Sequence, residues 1–260
     1  MLPPPRRPDP FARAIRWLIG AAMALATIAA PAANSLLIWP VNPTIRHGEQ
    51  ATALWIENQG RTTAHLQLRV FEWHQVDGED DYRPQQAIVG SPPMARIAPG
   101  QRQLVRLTRT TAIPAVAGEL AYRIVVDEIP VQRAEDAPEP AGSPAGVRFQ
   151  FRYSIPLFVH DDATGRVGPQ LAWELQRRDG QVFVLVHNRG QRHARLTALG
   201  FRRPGGAHVP LENAQLGYVL AGSFARWPLT DAAQADGTLE AHIDDHRRLR
   251  TIPPVQASRR

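Results

Sequence analysis

The chain of 260 residues has no cysteine. That excludes disulfides, thiolate metal sites and a cysteine nucleophile. It has no lysine either, and all 30 of its basic residues are arginine. No Schiff-base lysine, phosphate-loop lysine or lysine general base is available. Also missing are a serine nucleophile elbow, an HExxH helix, a phosphate loop and a paired-carboxylate signature, so no catalytic residue is assigned. "HDD" at 160–162 is the nearest approach to a metal-ligand cluster. Beside "ATG" it reads as a polar hinge, and neither metal nor cofactor is expected.

A basic face with interleaved aromatics, the mark of nucleic-acid binding, is missing too. The formal charge of +6 falls to +3 once residues 1–32, with four Arg and one Asp, are set aside. The remaining arginines are scattered, and "HRRLR" and the final "SRR" read as solvated charge. Trp39, Trp55, Trp73, Trp173 and Trp227 fall inside strand-like patterns, which suits packing better than a sugar-stacking platform.

What is present begins with a leader. Arg6, Arg7, Arg13 and Arg16 precede the apolar run "WLIGAAMALATIAAPAA". Ala30 and Ala32 fit the small–any–small pattern of a signal peptidase site, so residues 1–33 read as a signal peptide cut after Ala32 or Ala33. The run is short for a membrane span and rich in Ala rather than Leu, so export without a stable membrane span is expected.

Beyond the leader, apolar residues alternate or run over strand lengths: "QATALWIEN", "TAHLQLRVFEW", "RQLVRLTR", "LAYRIVVDEI" and "VRFQFRYSIPLFV". Polar, Gly-bearing punctuation separates them, as in an all-β sandwich. After "HDDATGRVGPQ" the pattern restarts with "LAWELQRR", "QVFVLVHN", "HARLTALGFRR", "YVLAGSFARWPL" and "EAHIDD". The expected fold is all-β, with two tandem immunoglobulin-like sandwiches. Their bounds are residues 34–159 and 170–250, with a hinge at 160–169 and a basic tail at 251–260. One phrase occurs in both halves, "ENQGRTTAHL" (57–66) and "HNRGQRHARL" (187–196). It reads as the corner after the second strand of each sandwich, with Asn and Gly turning the chain and Ala and Leu pointing inward.

The segment "VQRAEDAPEPAGSPAG" (131–146) has almost nothing to bury and reads as a mobile connection. The strand that follows puts Val147, Phe149, Phe151, Tyr153 and Ile155 on one face. Over five alternate positions such a row is about 26 Å long. It could cover its own core, or it could be lent to another protein whose sheet lacks a strand.

Several segments in this order resemble the periplasmic chaperones of pilus assembly, the PapD-like family. They are "SPPMARIAPGQRQLVRLTR", "AYRIVVDEIP" and "YSIPLFV" in the first half, then "HNRGQRHARL" and "YVLAGSFARWPL" in the second. The resemblance implies a non-catalytic boomerang of two immunoglobulin-like domains in the periplasm. Its partners would be pilin or fimbrial subunits and an outer-membrane usher. Residues 147–155 would be the donated strand. The best-known members anchor the subunit's terminal carboxylate with an Arg and a Lys; the corresponding positions here are Pro43 and Pro156. Arg123, expected on the neighbouring strand, is the first substitute, with Arg46 and Arg152 behind it. The differing class is a secreted structural or adhesive component of a surface fibre. Such a subunit should lack one strand and carry an N-terminal donor extension, whereas this chain reads as two complete strand sets.

Overall fold

The computed structural model describes residues 35–110, 118–130, 150–160, 168–212, 214, 216–230 and 235–256. The expected signal peptide, the connection at 131–146, hinge residues 161–167, and Val147 and Phe149 lie outside the described residues. Every described element is a strand.

The first sandwich contains β1 (Leu36–Trp39), β2 (Thr44–Ile45), β3 (Ala51–Asn58), β4 (Ala64–Val76) and β5 (Glu79–Pro84). It continues with β6 (Ile88–Ser91), β7 (Met94–Ile97), β8 (Arg102–Arg109), β9 (Glu119–Glu128) and β10 (Arg152–His160). One sheet has the order β1-β3-β8-β6 and the other β2-β10-β9-β4-β5, with β7 also on β4. The chain changes sheets between β1 and β2. Period-two patterning explains the core: β3 buries Leu54 and Ile56, and β9 buries Tyr122, Ile124 and Val126. β10 closes the same core with Ile155, Leu157 and Val159.

The second sandwich contains β11 (Leu171–Arg178), β12 (Gln181–Asn188), β13 (Ala194–Arg202) and β14 (His208–Pro210). β15 (Leu216–Val219), β16 (Phe224–Leu229), β17 (Thr238–Ile243) and β18 (Arg250–Thr251) complete it. Its sheets have the orders β11-β12-β16 and β14-β13-β17-β18, with β15 on β13.

The repeated phrase forms the same corner twice. Asn58, fully buried at the end of β3, donates from Nδ2 to the carbonyls of Thr62 (2.7 Å) and Ile97 (2.9 Å) and accepts from the Gly60 N–H (2.9 Å). Asn188, at the end of β12, donates to Arg192 (2.7 Å) and Val219 (3.1 Å) and accepts from the Gly190 N–H (2.9 Å). Ala64 and Leu66, and Ala194 and Leu196, then enter their cores. Each buried amide thus satisfies at least three backbone groups, and Asn188 also accepts from the Gln170 N–H at 3.1 Å.

Three boundaries differ from the sequence reading. Residues 251–256 are not a loose tail. β18 pairs with β17, Ile252 is 1% exposed in the core, and the Val255 N–H bonds to the Trp173 carbonyl at 2.7 Å. Burying Ile252 outweighs the solvation of the nearby arginines. "YVLAGSFARWPL" is two strands in different sheets, β15 and β16, parted by a turn in which the Ser223 N–H bonds to the Leu220 carbonyl (3.2 Å). His160 belongs to β10 and not to the hinge.

Candidate functional site

β10 pairs with β9 along its whole length, from Arg152 opposite Asp127 to His160 opposite Glu119. On its other side β2 covers only Phe158 and Val159. From Arg152 to Leu157 that side has no strand neighbour among the described residues. The hydrogen bonds show which groups face the open side. Glu128 donates to the Phe151 carbonyl (3.1 Å), so odd-numbered residues of β10 bond toward β9. Phe158 donates to the Pro43 carbonyl (3.2 Å), so even-numbered residues point the other way. The open edge therefore offers N–H and C=O from Arg152 and Ser154, and only C=O from Pro156. Proline is tolerated there because the position needs no donor toward β9.

The apolar row of β10 is graded. Leu157 and Val159 are 0% exposed and Ile155 is 8% exposed. Tyr153 and Phe151 are only half-buried, with ring centroids 6.4 Å apart. The row is sealed where the second sheet covers it and emerges toward the start of the strand.

The even-numbered residues of β10 share the opposite face of the sheet with Asp127, Val125, Arg123 and Ala121 of β9. Asp127 lies between two guanidinium groups, with Arg69 Nη2 at 2.6 Å and a hydrogen bond from Arg152 Nε. Burial alone would push its carboxyl upward, but those hydrogen bonds and charges outweigh it and hold Asp127 below the usual carboxylate value. Arg152 is thereby engaged within its own sheet. Arg46 follows β2, is exposed, and has Glu49 as ion-pair partner at 3.7 Å.

Arg123 lies directly across from Pro156 in the register and next to Phe71 of β4. Its side chain is only 11% exposed. The guanidinium stacks 3.7 Å from the Trp73 ring and lies 5.4 Å from Tyr218 of the second domain and 6.0 Å from Tyr82. Its nearest carboxylate oxygen is Asp80 Oδ2 at 3.9 Å, too long for a strong bidentate pair. Arg123 Nε and Trp73 Nε1 are both buried without a hydrogen-bond partner. Burial raises the Tyr82 hydroxyl, with the Asp80 charge adding to it while Arg123 opposes it. A cationic group with spare donors thus sits in an aromatic frame where the two domains meet, a setting that favours a carboxylate guest.

The frame is held by contacts across the joint. Phe158 stacks on His193 at 3.5 Å, and Trp73, Phe158 and Leu220 form a small shared core. Glu119, whose side chain is 1% exposed, accepts from the His193 N–H (2.9 Å) and faces His193 Nδ1 (2.7 Å) and His160 Nδ1 (3.3 Å). The β4–β5 hairpin is a second strut. Gln75 donates to the Tyr218 carbonyl (2.8 Å) and accepts from the Leu220 N–H (2.9 Å), and Arg226 bonds to Glu79 (2.8 Å). No local pattern marks Trp73, Tyr218, Glu119 or this hairpin as site-forming; they come together only through the packing of the two domains.

Among the described residues no helix is long and apolar enough to cross a membrane, and no group of three or more His, Asp or Glu side chains is placed to hold a metal ion.

Residues 42–164 match the family described as "Pili and flagellar-assembly chaperone, PapD N-terminal domain". No curated protein sequence matches the chain. Among solved structures, the chain is similar to one in the CsuC–CsuE chaperone–tip adhesion subunit pre-assembly complex from the archaic chaperone-usher Csu pili of Acinetobacter baumannii. Identity there is 31%, with a TM-score of 0.68, covering 85% of this chain and 100% of that one. The E. coli chaperone DraB shares the fold at 18% identity and a TM-score of 0.58, covering 85% of this chain and 97% of its own. The Salmonella enterica SafA pilin–SafB chaperone complex shares it at 16% identity and a TM-score of 0.58, covering 82% of this chain and 91% of that one.

Proposed function

We propose that this chain, which belongs to the PapD-like family of pilus-assembly chaperones, captures pilin or fimbrial subunits in the periplasm by lending them the open edge of β10. The subunit then passes to an outer-membrane usher. The observation that carries this reading is the graded edge itself. Among the described residues, the outward backbone groups of Arg152 and Ser154 have no strand partner, while Phe151 and Tyr153 stand half out of their own core. A guest strand laid there gains main-chain hydrogen bonds, and alternate apolar side chains fill its open groove. Two solved relatives described above are chaperones in complex with a tip adhesion subunit and with a pilin, which is the partner class expected here.

Val147 and Phe149 extend the proposed donor row upstream, and Ile155 ends it where the chaperone's own core begins. Arg123 is the proposed anchor for the guest's terminal carboxylate. It has a buried donor to spare and lies one strand in from the open edge, across from Pro156. Arg152, already bonded to Asp127, and Arg46, solvated and turned to Glu49, are less suited to the role. A carboxylate at Arg123 requires the guest to run in the same direction as β10, whose chain also leads toward the joint.

Co-expression with a pilin subunit tests this reading. Wild type should keep the subunit soluble and co-purify with it, whereas Phe151→Asp should lose at least about 90% of it, since a charge would enter an apolar pocket. The melting temperature of the variant should stay near wild type because Phe151 lies outside the sealed core. Undiminished recovery with Phe151→Asp would remove the strand-lending mechanism.

A further inference from the structure

The outward face of the β1-β3-β8-β6 sheet carries a feature that strand lending does not use. Trp39, Trp55 and Leu104 are cross-strand partners in register, forming an apolar bar over three adjacent strands. The two indole rings stack at 6.3 Å and 13°. Leu37 and Leu104 are 45% and 40% exposed, so the bar faces solvent. Two arginines of β8 bracket it. Arg102 lies 5.7 Å from the Trp55 ring, and Arg106 lies two residues further along the same face. Both are exposed and neither has an ion-pair partner among the described residues. Glu57, opposite Arg102, is the one acid among the described strand residues of this face.

We infer that this face docks on an anionic lipid surface. Indoles with free guanidinium groups beside them match a headgroup boundary, where amphipathic rings settle and arginine meets phosphate. Charge complementarity supports the same occupant, since two exposed arginines and a single acid border the apolar bar. The inference stands apart from strand lending, because it uses a different sheet.

Residues 35–256 contain both cores and every hydrogen bond described above, so the chain from Ser35 onward serves as the test protein. It should float with vesicles of phosphatidylglycerol and phosphatidylethanolamine at low salt, with a blue shift of tryptophan emission. Binding should weaken with salt and be slight on pure phosphatidylcholine. Each arginine near such a surface is worth about fivefold, so Arg102→Ala with Arg106→Ala should lower partitioning about 25-fold. Leu104→Glu should reduce it strongly while leaving the melting curve unchanged. Failure to bind anionic vesicles, or equal binding by both variants, would overturn the assignment. So would a sedimentation-detected dimer abolished by Leu104→Glu without vesicle binding, which would assign the face to a second copy of the chain.

Discussion

Single side chains decide how firmly this molecule holds its shape and its proposed guest. Asp127 is the clearest titratable case. Its folded value lies below the ordinary one near 3.8, because hydrogen bonds from Arg152 and Arg69 overcome the effect of burial. Its stabilisation is complete above the ordinary value and is lost as pH falls through the lowered one. Asp127→Asn should therefore cost about 1–3 kcal/mol at neutral pH. In urea titrations the variant and wild-type curves should draw together as pH falls through the lowered value, where the carboxyl becomes protonated in both states. A difference that never narrows as pH falls below the ordinary carboxylate value would contradict the arginine clamp. Arg123 makes the complementary case for binding. Arg123→Met keeps a long side chain against Trp73 but removes the charge. Losing hydrogen bonds to a charged group costs about 1.5–3 kcal/mol, so subunit affinity should fall about 10- to 150-fold with little change in melting temperature. Unchanged affinity, measured by titration calorimetry, would free Arg123 of the anchoring role.

At the level of elements, much was legible because period-two patterning and turn chemistry are local. The long strands β3, β4, β8, β9 and β10 follow from runs such as "ATALWIEN" and "LAYRIVVDE". The twin Asn corners follow from the repeated phrase, since the buried amide and the inward Ala and Leu sit at fixed offsets. β5 was hidden because "EDDYRP" is acidic and exposed; it forms only because it zips back along β4. Asp77 and Gly78, with φ of 51° and 78°, make the tight two-residue turn that allows it. β6, β7 and β14 are short pieces whose sequences carry Gly or too few residues to show alternation. "RTIPPV" near the end reads as a tail, because one buried Ile among Arg and Pro gives no periodic signal.

For the whole molecule, the joint between the sandwiches was the least legible part, since Trp73 of β4, Glu119 and Arg123 of β9, and His193 and Tyr218 of the second domain come from well-separated stretches of sequence. Gly78 tests whether the hairpin strut sets the joint. A β-carbon there would lie 2.9 Å from Phe224 Cε2 and 3.0 Å from Arg226 Cγ, and the φ of +78° already disfavours any side chain. Gly78→Val should loosen the hairpin from the second domain and widen the distribution of interdomain angles in small-angle scattering, while both domains stay folded. An unchanged scattering profile would show that the Glu119–His193 and Phe158–His193 contacts suffice alone. The central claim, that the open side of β10 completes a partner's sheet, is tested most directly by amide hydrogen exchange on free and subunit-bound protein. Tyr153 and Ile155, bonded toward β9, should be protected in both states, whereas Arg152 and Ser154 should exchange rapidly when free and become protected in the complex. Continued rapid exchange at Arg152 and Ser154 in a stable complex would contradict the account.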